Sequence, residues 1–301
     1  MLQPLLRFGL YADLLILVGL AAWSALGQGA ISILASRVLS LSAMAWLSGL
    51  GVILSAAATL VAVGGMMGLA IHELDISTIK TILLETTIGV ASLVRLTLLT
   101  AAFLSCLFPA PLLIRRIIAI CAALALASLA WSGHAAVSEG WFGTFHTLND
   151  VVHLLAVAMW IGAIAGFTAA AWKQGPPDLL ASLGEGLRRF ATAGTVLVLL
   201  VAATGAINLV SIAGWNTLPT LWRGPYGLLL IAKLLLFTGM LIAAGLHRWK
   251  LAPALHARIE RQATSEKALS ALRVSLMVEF LLSIAILALV AWLGMTAPVT
   301  D

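Results

Sequence analysis

The chain has 301 residues, of which 62% are hydrophobic and only 10% are charged, with a formal net charge of +5. Because a soluble domain carries roughly 25% charged residues, this composition excludes a soluble globular protein and predicts an all-α, polytopic membrane bundle. The excess of positive charge does not indicate a nucleic-acid partner, since the basic residues stand in short gaps between apolar runs, as they do in membrane proteins.

Eight apolar runs follow one another along the chain, each close to the roughly 20 residues that a helix needs to cross a bilayer. The first run is interpreted as a membrane span and not as a cleaved signal peptide. We therefore predict eight transmembrane helices, at residues 8–26, 43–70, 84–108, 112–132, 147–172, 191–213, 226–247 and 270–294.

Lysine and arginine are distributed unevenly among the gaps. The odd-numbered gaps hold twelve of them, the even-numbered gaps and the termini hold three, and the remaining two lie within spans. By the positive-inside rule, the odd-numbered gaps are predicted to be cytoplasmic. Both termini would then lie on the outer, periplasmic side of a bacterial inner membrane.

Two halves of the sequence resemble each other at a nearly constant offset. Asp13 in the first span corresponds in position to Asp150 in the fifth span. A Gly-x5-Arg95-x4-Thr pattern in the third span matches Gly-x5-Lys233-x4-Thr in the seventh. Two parallel four-helix halves, residues 1–140 and 141–301, would explain these matches, as in some transporters. Chance similarity between Leu- and Ala-rich helices is the alternative.

Ionisable residues inside a bilayer are rare and are usually paired or functional. One interpretation pairs Asp13 with Arg95 and Asp150 with Lys233 and lets these residues hold the helices and the two halves in register. The carboxyl groups of Glu85 and Glu279, which these pairs leave over, would lower the electrostatic cost of placing a cation inside the bundle. The six residues predicted within spans are Asp13, Glu85, Arg95, Asp150, Lys233 and Glu279.

The histidines gather toward the predicted outer face. His146, Asp150 and His153 are spaced i, i+4 and i+7, so they form a stripe along the fifth span that descends about 10 Å. Imidazole and thioether groups together suit copper. We predict a copper route in which a cluster at the mouth captures the ion and the stripe passes it inward. The predicted ligands are His134, His146, Asp150, His153, His72 and Met295.

The sequence contains no Walker loop, no HExxH and no GxSxG, and we predict that the protein is not an enzyme. A membrane haem protein is the competing class, but it needs histidines that face each other across helices. A third possibility is a membrane adaptor that binds a periplasmic copper protein without transporting metal.

Several motifs in the second half resemble the copper resistance protein D (CopD) family. They begin with the segment from His153 to Gly162, continue with Ala203-Thr204-Gly205 and Tyr226-Gly227-x5-Lys233, and end with His247-Arg248-x-x-Leu251-x-Pro253 and Glu279. This resemblance implies an inner-membrane protein that handles copper. It also implies a CopC-like periplasmic copper carrier, here as a separate partner. The function predicted from the sequence is copper transport from the periplasmic face toward the cytoplasm.

Overall fold

A computed structural model describes residues 2–27, 29–108, 111–132, 140–173, 177–214, 224–251 and 266–295. Within these ranges the chain forms helices and no strands, which confirms the predicted all-α bundle. The ten α-helices are α1 (Leu2–Ala25), α2 (Ala30–Val38), α3 (Leu41–Met67), α4 (Ile76–Glu85), α5 (Thr87–Ser105), α6 (Pro111–Ala127), α7 (Gly140–Trp172), α8 (Pro177–Ala213), α9 (Pro225–Leu246) and α10 (Glu266–Leu293).

Eight of these helices, all except α2 and α4, are long and apolar enough to cross a membrane, which confirms the predicted number of spans. Their ends extend beyond the apolar runs where polar residues continue the helix. For example, α8 begins at Pro177 and not at 191. The side chains of Arg188 and Arg189 bind Glu185 at 2.8 and 2.6 Å within this extension, and such i,i+3 and i,i+4 pairs favour helix.

The two short helices, α2 and α4, lie in segments that hydropathy predicts to be gaps between spans or the ends of spans. Helix α4 begins after Asp75, whose carboxylate accepts a hydrogen bond from the Thr78 backbone at 3.0 Å and caps the helix. It ends at Glu85, and α5 starts only at Thr87, capped by Thr86. Glu85 therefore belongs to the short helix before the third span and not to the span itself.

Helix α1 lies in the middle of the bundle, where it packs against α2, α3, α6, α7 and α10. Its leucines at 14, 15 and 17 are fully buried. Its closest approach is to α7, because glycines face each other at the crossing. A Cβ atom added to Gly19 would lie 2.7 Å from the Cα atom of Gly162. Small residues of this kind allow membrane helices to approach closely.

The two halves of the bundle differ in which neighbouring helices contact each other. In the first half α3 packs against α5, and α5 packs against α6. In the second half α7 packs against α8 and α10 packs against α9, whereas the described parts of α8 and α9 make at most marginal contact. A cavity lies between α8 and α9, where these helices are separated.

The basic side chains of the predicted cytoplasmic gaps lie together at one end of the bundle. There Lys173 donates to the carbonyl oxygen of Arg37, Arg115 donates to that of Leu39, and Arg273 donates to that of Ala171. We call this end the basic end. Helix α7 begins at the opposite end, which we call the His146 end.

Candidate functional site

A cavity of about 440 Å³ lies between α1, α7, α8, α9 and α10. Along α7 its lining runs from His146 to Trp160, and along α9 from Tyr226 to Met240. The two ends of each segment are fourteen residue positions apart, so the cavity is about 21 Å deep. Most of the wall is apolar. The polar and charged lining residues are Arg7, Tyr11, His146, Asp150, His153, Asn208, Tyr226, Lys233 and Ser283.

The predicted stripe of His146, Asp150 and His153 lines this cavity along a single face of α7. His146 is 2% exposed and lies beside the ring of Phe142 near the start of the helix. His153 lies two turns further along, so the polar groups descend into the cavity in the predicted order. The three side chains therefore face the interior of the bundle and not lipid.

The hydrogen bond between His153 and Thr204 decides which imidazole nitrogen is available for a ligand. His153 Nδ1 lies 2.8 Å from Thr204 Oγ1, and the Thr204 hydroxyl donates its own proton to the carbonyl oxygen of Leu200. With the Thr204 proton donated to that carbonyl oxygen, Thr204 Oγ1 accepts a proton from Nδ1. The lone pair of His153 then resides on Nε2, which is the form of imidazole that binds a metal ion.

Asparagines from α7 and α8 orient the carboxylate of Asp150. Asn208 donates to Asp150 Oδ1 at 3.1 Å, and Asn149 donates to Asn208 Oδ1 at 2.7 Å and to the Thr204 carbonyl oxygen at 3.0 Å. This network ties the stripe on α7 to one short segment of α8. It fixes the positions of Asp150 and His153 relative to each other.

Two cations share the cavity with Asp150. Lys233 on α9 is close enough to Asp150 and to His153 to interact with both electrostatically, and the Asp150–Lys233 ion pair stays a prediction. Arg7 lies at the His146 end and donates to the carbonyl oxygen of Gly294 at 3.0 Å. Because the lining contains two cations and one carboxylate, charge alone would not draw a metal ion into the cavity.

The lining ends toward the middle of the bundle at Trp160, Met240 and Ser283. The ring of Trp160 packs edge-on against the ring of Phe190, which also contacts Trp23 and Phe167. Ser283 donates to the carbonyl oxygen of Glu279, which lies one turn closer to the start of α10 and to the basic end, and Glu279 is completely buried. An aromatic cluster and a buried acid thus separate the cavity from the basic end.

The predicted Asp13–Arg95 ion pair is wrong. Arg95 instead donates to three serine hydroxyls on separate elements: Ser55 at 2.7 Å, Ser92 at 3.2 Å and Ser128 at 3.3 Å. Both carboxyl oxygens of Asp13 are buried without a hydrogen-bond partner among the described residues. Arg95 therefore connects helices within the first half, Lys233 acts within the second, and neither joins the two halves as predicted.

Two predicted site residues lie away from the cavity. His72 is exposed in the short turn Ile71–Glu73 between α3 and α4, and α3 does not line the cavity. Glu85 is exposed at the end of α4. Hydropathy placed both residues near the outer membrane surface, but it could not show that α3 to α5 stand on the far side of α1.

One of the remaining two predicted ligands lies at the His146 end. Met295 follows the last helix and is 43% exposed, and its sulfur lies 4.0 Å from Arg7 Nη1. Its neighbour Gly294 lines the cavity, so Met295 lies at the edge of the mouth. His134 lies outside the described residues.

The described residues contain no group of three His, Cys, Asp or Glu side chains arranged to hold a metal ion. The stripe is thus a series of separate side chains and not an assembled coordination site, and the ligand roles of its members stay predictions. Residues that the sequence analysis did not single out as site residues complete the arrangement, namely Asn149, Thr204, Asn208, Tyr226 and Arg7. A signal was present for two of them, because Thr204 and Asn208 are polar residues one turn apart within an apolar run.

Two family models match the chain. The model described as copper resistance protein D-like, N-terminal domain, matches residues 1–144. The model described as copper resistance protein D matches residues 184–293. The second range includes Thr204, Asn208, Lys233 and Glu279, whereas the stripe on α7 falls between the two models.

Curated proteins show the same similarity. The chain is 30% identical to copper resistance protein D of Pseudomonas syringae pv. tomato, over 97% of this chain and 95% of that protein. It is 28% identical to inner membrane protein YebZ of Escherichia coli K12, over 86% and 87% of the two chains. The copper transport protein CutJ of Bacillus subtilis 168 is 32% identical over 40% of this chain and 22% of that protein.

No solved structure matches the chain significantly. The similarity to the Pseudomonas protein nevertheless extends over nearly the full length of both chains, and the two family models together leave residues 145–183 and 294–301 unmatched. The chain belongs to the copper resistance protein D family.

Proposed function

We propose that this protein transports copper across the bacterial inner membrane, from the periplasmic face toward the cytoplasm. One observation carries the proposal: His146, Asp150 and His153 line a single cavity that extends into the bundle from the end opposite the basic residues. The names of the relatives, which include a copper resistance protein, a copper transport protein and an inner membrane protein, support the cargo and the location.

Coordination, and not electrostatic attraction, would draw the ion into the cavity. The lining residues Lys233 and Arg7 oppose a cation, but the Nε2 lone pair of His153 offers a covalent donor that copper accepts in either oxidation state. His146 would bind the ion first and His153 would receive it about 10 Å deeper. Glu279, buried one turn beyond the floor, would stabilise the ion during its exit toward the basic end.

The orientation follows from the charge asymmetry. Twelve of the seventeen basic residues belong to the odd-numbered gaps, and the positive-inside rule places such gaps in the cytoplasm. The His146 end would then face the periplasm, together with both termini. There a separate CopC-like carrier would deliver copper to the mouth.

Copper accumulation in cells tests the route. We expect His153→Ala and His146→Ala each to reduce chain-dependent copper uptake by about tenfold or more, since even outer-shell partners of metal ligands contribute that much to metal affinity. His72→Ala is the matched control, because His72 is an exposed histidine away from the cavity. Immunoblots would verify equal amounts in the membrane. Uptake at the normal level in both cavity variants would refute the route.

Haem binding and a purely adaptor role are the other candidate functions. Both histidines that line the cavity lie on α7, so the described lining of the cavity provides no pair that faces across helices as a haem would need. An absorption spectrum with metal analysis of the purified protein distinguishes these functions. A Soret band that disappears in His153→Ala would favour haem, and carrier binding without copper flux would favour the adaptor.

A further inference from the structure

A second concave surface lies toward the basic end and shares no lining residue with the cavity described above. It is an open groove of about 940 Å³ between the second half of α9 and the first half of α10. Its apolar walls include Ile242 and Leu246 from α9 and Val274 and Val278 from α10, and these side chains are 62%, 44%, 59% and 44% exposed. Because both helices are membrane spans, this groove faces the lipid.

Two lysines stand at the end of the groove nearest the membrane surface. Lys250 follows α9 and Lys267 begins α10, and both line the groove. Both are exposed, and neither forms a hydrogen bond or an ion pair with any residue that the structure describes. The nearby Arg248 and Arg273, in contrast, donate to the carbonyl oxygens of Ala191 and Ala171.

The length of the groove matches half a bilayer. Lys267 and Val278 are eleven residues apart on α10, which corresponds to about 16 Å of helix. The hydrocarbon core of a bilayer is about 30 Å thick, so the groove spans one leaflet. Trp249, which is 74% exposed beside Lys250, marks the interface at that level, as exposed tryptophans do in membrane proteins.

We propose that this groove binds an anionic phospholipid, with an acyl chain along the apolar walls and the headgroup phosphate between Lys250 and Lys267. A zwitterionic lipid would fill the same walls but would bring its own cation close to the two lysines. Basic pockets between membrane helices on the cytoplasmic side are typical sites for anionic headgroups. The site is independent of the copper route, because it shares no residue with the copper cavity.

Native mass spectrometry of the full chain, released from nanodiscs of phosphatidylglycerol and phosphatidylcholine in equal amounts, tests the proposal. We expect retained phosphatidylglycerol on the unmodified protein. We expect about 30-fold weaker retention in Lys250→Gln/Lys267→Gln, since each lysine near a membrane surface contributes about 1 kcal/mol, or roughly a fivefold effect. The control is Lys80→Gln/Lys173→Gln, which removes the same charge elsewhere and should retain phosphatidylglycerol.

A second variant tests the walls of the groove without changing the charge. Val274→Trp places a large side chain at an exposed wall position, where it should obstruct an acyl chain and reduce phosphatidylglycerol retention while leaving both lysines in place. Equal retention of the two lipids by the unmodified protein would overturn the proposal. An equal loss in the control double variant would also overturn it, because general surface charge would then explain the binding.

Discussion

At the scale of single residues, the proposed copper route depends on the state of His153. Its Nδ1 proton is engaged by Thr204, and Thr204 is fixed in turn by a backbone carbonyl of α8. Metal-binding histidines commonly have such an outer-shell acceptor, which orients the ring and sets the tautomer. The neighbouring Asn208 donates a hydrogen bond to Asp150 and so orients its carboxylate. Two polar residues of α8 therefore prepare two candidate ligands of α7.

The Thr204 hydroxyl can be removed with little change of shape. We expect Thr204→Val to weaken copper binding by about 10- to 100-fold, because His153 loses the acceptor that fixes its tautomer. Thr204→Ser keeps the hydroxyl and should bind copper nearly as the unmodified protein does. Copper titration of purified protein measures the affinity. Copper affinity at the normal level in Thr204→Val would show that this hydrogen bond does not prepare His153 for the metal.

Arg95 illustrates a buried charge with a structural role. Its guanidinium group reaches three serines on different elements, a geometry that a single ammonium group cannot reproduce. We expect Arg95→Lys to lower the free energy of unfolding by about 2 kcal/mol, since hydrogen bonds to charged groups contribute roughly 1.5–3 kcal/mol each.

Thermal unfolding of the purified protein in detergent measures this effect. Arg116→Lys serves as the control, because Arg116 is exposed and makes one hydrogen bond, to the carbonyl oxygen of Ala25. That variant should differ from the unmodified protein by less than about 0.5 kcal/mol. Equal midpoints for the two variants would argue against a structural role for the serine contacts.

At the scale of helices, the contact of α1 with α7 joins the two halves. Gly19 and Gly162 let the backbones meet, and Trp23 donates from Nε1 to the carbonyl oxygen of Met159 at 3.0 Å near the same crossing. Since α7 carries the stripe of His146, Asp150 and His153, this crossing also sets the position of the cavity relative to α1.

Adding one methyl group at the crossing should separate the helices. We expect Gly162→Ala to destabilise the protein by about 1–3 kcal/mol or more, because the new Cβ atom would lie 2.8 Å from the backbone nitrogen of Leu20. Gly65→Ala is the control: Gly65 also lies within a helix, and its added Cβ atom would meet nothing within 4 Å. Unfolding midpoints in detergent compare the variants. A stable Gly162→Ala protein would contradict the close crossing.

At the scale of the whole molecule, the two ends of the bundle differ in chemistry. One end gathers cations that bind helix-end carbonyl groups, and the other end holds the mouth of the cavity. The proposed direction of transport depends on which end faces the cytoplasm. The predicted boundary between halves at residue 140, like the absence of enzymatic activity, stays a prediction.

Reporter fusions test the orientation directly. Alkaline phosphatase needs the oxidising periplasm for its disulfides. We therefore expect activity when it is fused after residue 301 and no activity when it is inserted within 252–265. A fluorescent protein that folds in the cytoplasm should give the opposite pattern at the same positions. Reversal of both patterns would place the His146 end in the cytoplasm and refute the proposed direction.

The sequence by itself determined the class of this protein. Eight apolar runs and low charge leave no fold other than a membrane bundle, since a backbone in lipid must satisfy its own hydrogen bonds. The i, i+4 and i+7 spacing placed His146, Asp150 and His153 on one face, because helix geometry is local. Clustered lysines and arginines likewise predicted which gaps share one end of the bundle.

Only the tertiary structure decided which polar groups meet. It brought Thr204 to His153 and Asn208 to Asp150, gave Arg95 three serines in place of Asp13, and left His72 and Glu85 away from the cavity. In lipid, most faces of a helix are apolar, so hydropathy fixes the length of a span but not its rotation or its neighbours. Those depend on close packing, such as the meeting of Gly19 with Gly162, which no single helix contains.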